Sequence, residues 1–191
     1  MQEQEIKHKK VYLISKNGFK IAVAKRVFSR FGIDVVPIPG NAAEIQADTS
    51  AEIARFAALQ AVRGLDAPVI REDHSLVFNS LGLPGPYTKF MESKLPEEKL
   101  LKILELFPDR SGYFELSAAY AHPDDEVMEF TFRVPINVAN EPRGKLSKGW
   151  NRVLMLVGES RTLAEYQDSD RISVFEKNFV RIAEHMKSKG D

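Results

Sequence analysis

Short apolar strands alternate with helix-period stretches early in this chain, and two long period-2 runs follow. That order narrows the fold more than any single motif. VYLIS (11–15) is a short apolar run, and Asn17-Gly18 breaks it with a turn. From Phe19 to about Phe31 the spacing is helical, with Ala24, Val27, Phe28 and Phe31 on one face and Gly32 as the stop. IDVVPI (33–38) reads as a second strand. TSAE (49–52) is a capping box, Thr49 capping and Glu52 reaching back, for a helix expected to run to about Arg63 and stop at Gly64. PVIREDHSLVF (68–78) reads as a strand or a bent hairpin, GLPGPY (82–87) as neither helix nor strand, and PEEKLLKILELF (96–107) as an amphipathic helix with Pro96 in its first turn. GYFELSAAYA and EVMEFTFRVPI form a hairpin across His122–Asp125, the second strand alternating Met128, Phe130, Phe132 and Val134 with Glu129, Thr131 and Arg133. A polar loop (140–152), a short strand VLMLV and a helix from about Asp170 to Lys187 close the chain. The expected class is α/β with a mixed sheet.

A length of 191 residues fits one domain with a substantial core. Lys plus Arg equals Asp plus Glu at 27 each, so no basic excess points to nucleic acid, although a local basic pocket for a small anion remains compatible. With no cysteine, disulfides, thiolate metal sites and cysteine nucleophiles are excluded. The histidines at 8, 74, 122 and 185 lack metal-ligand spacing. The start, MQEQEIKHKK, lacks the apolar core of a signal peptide, and no apolar run approaches the roughly 18 residues of a membrane helix. A cytoplasmic protein with no membrane partner is expected.

Four features are candidates for chemistry. In ISKNGFK (14–20) a strand runs into a turn that opens a helix, whose free amides favour anions; Ser15 and Asn17 add polar groups and Lys20 a charge. Read alone, the same turn is an ordinary N-cap with a solvated lysine. Glu44, Glu72 and Asp73 are acids on two separate segments. Strand alternation sends Asp73 to the face of Arg71 and Ser75, and Glu72 to that of Ile70 and His74. Carboxylates meeting from separate loops suit Mg²⁺ or a proton taken from water, while surface acids on an edge strand show the same pattern. GLPGPYTKF brings a tight backbone and Lys89 to a site or a subunit contact. Trp150, in a polar loop, either stacks on a base or packs as a lid.

Taken in order, EIQADTSAEIARFAALQA, PVIREDHSL, LGLPGPYTKF, DRSGYF and EPRG resemble the inosine-triphosphate pyrophosphatase family over about residues 11–182. The resemblance implies a long curved mixed β-sheet with flanking helices, two lobes around a central cleft, and a homodimer. It implies Mg²⁺-dependent hydrolysis of a nucleoside triphosphate between the α and β phosphates, giving a monophosphate and pyrophosphate. Ser15, Asn17 and Lys20 match the triphosphate-binding turn, and Glu44 a metal-associated carboxylate. Glu72 and Asp73 match the acidic pair, with Asp73 at the place of the proposed base, and Lys89 matches the lysine after the Gly-Pro loop.

The base end departs from the family. KGWNR replaces FGWDP, so Lys148 stands for the stacking phenylalanine, Asn151 for the aspartate and Arg152 for the proline. Set against the family's EKN and SHR triplets are DRI (170–172) and FEK (175–177), which puts Arg171 at a lysine, Glu176 at the purine-reading histidine and Lys177 at the arginine. His74 replaces Thr or Ser, and Ala57 is the nearest match to a lysine of one branch. An ionised carboxylate at Glu176 accepts hydrogen bonds only, which implies a base preference shifted from inosine and xanthosine. A nucleotide-binding regulatory protein of the same fold with little turnover is the alternative.

Overall fold

In the computed structural model, which describes residues 9–40, 45–125, 127–145, 149–167, 170 and 172–189, strand β1 (Lys9–Ile14) pairs in parallel with β2 (Ile33–Ile38). Helix α1 (Gly18–Ser29) crosses between them and buries Val23, Ala24, Val27 and Phe28. Asn17 caps it, Oδ1 accepting from the Phe19 and Lys20 amides at 3.0 and 3.4 Å. Gly32 follows at φ 71°, a left-handed conformation that favours glycine.

Both halves of the capping box form on α2 (Ser50–Leu65): Thr49 Oγ1 accepts from the Glu52 amide, and Glu52 Oε2 from the Thr49 amide at 3.0 Å. Gly64 does not stop this helix. The backbone passes through it to Leu65, and Asp66 takes the left-handed cap at φ 48°.

Strand β3 (Val69–Phe78) runs through the middle of the sheet, antiparallel along its whole length to β5 (Ser111–Ala121). β5 forms the expected hairpin with β6 (Met128–Val138), and β7 (Leu154–Leu156) pairs with the end of β6. The order is β2-β1-β3-β5-β6-β7, with β4 (Leu83–Gly85) also on β3. β4 corrects the sequence reading of GLPGPY. Pro84 is accommodated because β4 is short and lies at an edge, where a missing donor costs little. Helix α3 (Thr88–Lys94) was not expected, and α4 (Glu97–Leu104) starts just after Pro96, which serves as its cap. The terminal helix, α5 (Lys177–Lys189), begins seven residues later than its periodicity implied, because Phe175 leaves the helical path to insert between Phe19 of α1 and Phe114 of β5.

Two apolar clusters share β3. Ile70 joins Val11, Leu13, Phe28, Phe179 and Ile182 under α1 and α5. Leu76 and Phe78 join Leu100, Leu104, Ile136 and Trp150 under α4. The charged residues 71–74 lie on the strand between these two lobes. This is the mixed sheet with flanking helices that the sequence led us to expect.

Candidate active site

On the edge of β3 away from β5, β1 pairs only with Val69 and Ile70, and β4 begins at Leu76. Among the described residues no strand pairs with Arg71–Ser75 on that edge. Backbone groups on such an edge need partners. Lys20 supplies one: its Nζ donates to the Glu72 carbonyl at 3.0 Å. Lys20 is therefore not the solvated lysine of an ordinary cap. Burial pulls its ammonium down from the usual lysine range, and the negative charges of Glu72 and Asp73 push it back up.

The alternation holds. Glu72 and His74 share one face, where His74 Nε2 lies 2.8 Å from Glu72 Oε2. Asn178 of α5 donates from Nδ2 to Glu72 Oε1 at 3.2 Å and to the Leu116 carbonyl at 3.0 Å. Glu72 is 3% exposed. Burial pushes its carboxyl up, but His74, Lys20 and Asn178 outweigh that and hold it below the ordinary carboxylate value. Burial, then the Lys20 charge, holds the His74 imidazole below its ordinary value, so a neutral ring donates Nε2–H to an ionised Glu72. The ring also stacks on Phe175, centroids 6.1 Å apart.

Asp73 lies on the other face with Arg71, whose Nη2 is 3.8 Å from Asp73 Oδ1 and whose Nη1 donates to the Ile14 carbonyl at 3.3 Å. On the same face Ser75 and Ser117, the latter directly opposite Asp73, meet Ser50 of α2 in a buried hydroxyl cluster. The Asp73 and Arg71 side chains are about one-fifth exposed, at 20% and 17%.

These contacts bear on a metal. Mg²⁺ keeps several waters and is typically held by one or two carboxylates plus substrate phosphates. Asp73 fits that role. Glu72, expected as a ligand, is less open to that role, because it is 3% exposed and each of its oxygens already accepts a hydrogen bond, one from His74 and one from Asn178. Glu44 lies outside the described residues, among which no group of three His, Asp or Glu converges as a metal cage.

Around the opening, Ser15 accepts from the Asn17 amide at 3.1 Å, which shapes the turn before α1, and Lys89 stands exposed on α3. Trp150 is not a base platform. It is 2% exposed, donates Nε1–H to the Leu95 carbonyl at 2.8 Å and packs on Phe78. Asn151 accepts the Ala164 amide through its backbone, and Arg152 pairs with Glu97 at 2.5 Å. Lys148 and Arg171 lie outside the described residues.

At the terminal helix the sequence register needs correcting. Residues 176–178 themselves read EKN, six positions later than the match made above, and Asn178 of that triplet is the residue that anchors Glu72. The same shift moves SHR onto Arg181, Ile182 and Ala183, of which Ile182 and Ala183 are wholly buried in the core. Glu176 pairs with Arg30 of α1 at 3.3 Å, and Lys177 lies over the Phe132 ring at 4.6 Å. The literal triplet was the signal that could have found Asn178. Only the fold shows Arg71 reaching across to β1.

The Ham1 family model matches residues 11–183. A dITP/XTP pyrophosphatase of Ignicoccus hospitalis is 37% identical over 182 residues, covering 93% of this chain and 97% of that protein. One of Methanopyrus kandleri is 32% identical, covering 94% and 97%. Among solved structures, a HAM1 protein from Coxiella burnetii has the same fold, with a TM-score of 0.80 at 21% identity over 94% of this chain and 99% of that one. With a family model that spans most of its length and relatives that align nearly end to end, this chain belongs to the Ham1 family.

Proposed function

We propose that this enzyme, a nucleoside triphosphate pyrophosphatase, cleaves between the α and β phosphates with Mg²⁺ bound by substrate phosphates and Asp73. The observation that carries the reading is the β3 edge at Arg71–Ser75, where Lys20, from the capped turn of α1, reaches the Glu72 carbonyl and feels the Asp73 charge. Water oriented by Asp73 gives up a proton to its carboxylate as its oxygen bonds to the α phosphorus in line. The bond from that phosphorus to the bridging oxygen breaks, and pyrophosphate leaves with the electron pair. Lys20 offsets the charge that builds on the leaving group. Mg²⁺, when bound, neutralises and aligns the phosphates. The relatives' names support a purine triphosphate substrate. Apolar Ile182 and Ala183, at the places of the purine-reading His and Arg, support a base preference different from dITP and XTP.

The test is pyrophosphate release from a panel of purine and pyrimidine triphosphates with Mg²⁺. Release is expected with at least one base and is expected to fall by about 10²-fold or more in Asp73→Asn, the scale of a lost general base. A nucleotide-binding protein without turnover is the second reading, favoured by the engagement of Glu72 with His74 and Asn178. No release with any base, while triphosphate still raises the melting temperature, would establish it. We also propose that the protein is a cytoplasmic homodimer; among the described residues no helix is long and apolar enough to cross a membrane.

A further inference from the structure

We propose that Arg71 is a second phosphate-binding cation of this site, contacting the triphosphate directly from the carboxyl ends of β1 and β2. The proposal rests on the pyrophosphatase reading above. Arg71 stands at the first position of β3 beyond the β1 pairing, and its guanidinium crosses to the last carbonyl of β1, that of Ile14, at 3.3 Å. The next residue of β1's chain is Ser15, which opens the capped turn. Gly40, two residues past β2, also lies against Arg71: a Cβ built there would stand 3.7 Å from Nη1. Ligands of parallel sheets collect outside the carboxyl ends of strands, and Arg71 is aimed at that place.

Its charge setting points the same way. Asp73 Oδ1 is 3.8 Å from Nη2, and the Arg71 and Lys20 charges are close enough to influence one another. Arg71 thus lies beside the carboxylate assigned as the base, whose charge Lys20 also feels. A guanidinium presents five N–H donors in a rigid fork, so one group can orient Asp73 and meet phosphoryl oxygens at once. At 17% side-chain exposure Arg71 is neither a surface residue nor sealed in the core. A structural arginine on this strand would tie β3 to β1 and nothing more; this one also stands 3.8 Å from the Asp73 carboxylate.

The readout is binding of inorganic pyrophosphate with Mg²⁺ by calorimetry, alongside steady-state kinetics and melting temperature. Arg71→Gln is expected to weaken pyrophosphate binding about tenfold and to lower kcat/KM by about 100-fold, the scale of losing one preorganised donor. The weakening is expected to persist in an Asp73→Asn background, where the ion pair is already gone. Pyrophosphate affinity unchanged by Arg71→Gln in either background overturns the proposal, whatever happens to stability. If the glutamine variant does not fold, Arg71→Lys decides: the charge without the fork is expected to weaken binding several-fold, and wild-type affinity overturns the proposal. A wild-type protein that releases no pyrophosphate from any triphosphate sinks the functional reading instead, and pyrophosphate binding still tests Arg71.

Discussion

Glu92 shows what a single residue here can report. It sits on α3 against Gly149, where a Cβ would come within 2.3 Å of its carboxylate. Burial pushes its carboxyl up from 4.5, and the Trp150 amide, 3.3 Å from Oε1, only partly offsets this. A raised folded value means that the folded protein binds this proton more tightly than the unfolded chain. That contribution is complete below the unfolded value and is lost as pH rises through the folded one. Glu92→Gln, neutral throughout, is therefore expected to match the wild type near pH 4 and to melt higher at pH 7. Melts at the two pH values check this, and a variant that melts lower at pH 7 contradicts it. At the same scale, strand parity alone put Glu72 with His74 and Asp73 with Arg71. It did not reveal the Asn178 hydrogen bond to Glu72, because Asn178 arrives from 106 residues away. Nor did it reveal Trp150's burial, since a polar loop hides the apolar pocket that its ring fills.

Among the elements, α2 covers the face of the sheet that carries Asp73, through Ser50 and the Ala54–Ala58 contacts with Ala119 and Ala121. Its start rests on the Thr49–Glu52 box. Thr49→Ala removes the acceptor of the Glu52 amide and is expected to cost about 1 kcal/mol by denaturant unfolding. A loss near zero would mean that packing alone fixes this end. Period and caps were enough to find α1, α2, β3 and the β5–β6 hairpin. They failed where tertiary contact outweighs local preference. The α5 pattern ran too early because Phe175 and Phe179 keep helical spacing although only Phe179 lies in the helix. Likewise β4 is a strand only because β3 offers it an edge.

For the whole molecule, Leu83, Tyr87 and Phe90, at 56%, 43% and 60% exposure, put apolar surface on β4 and α3 and on the residues that join them. Side chains of that size left in water favour association. The wild type is expected to sediment as a dimer and Phe90→Asp as a monomer; a monomeric wild type at micromolar concentration removes the dimer from the account. By itself the sequence determined the layered α/β plan, the capped turn with Lys20, and the two-sided placing of the acids on β3, because hydrophobic period, capping chemistry and strand parity are local. Only the tertiary structure decided which groups meet. Among the described residues it left Arg71–Ser75 without a strand partner on one edge of β3, brought Lys20 to the Glu72 carbonyl, set Asn178 on the Glu72 carboxylate, and carried Arg71 to the end of β1. Those contacts depend on how distant segments pack, and no local pattern encodes a hydrogen bond between residues that share no element.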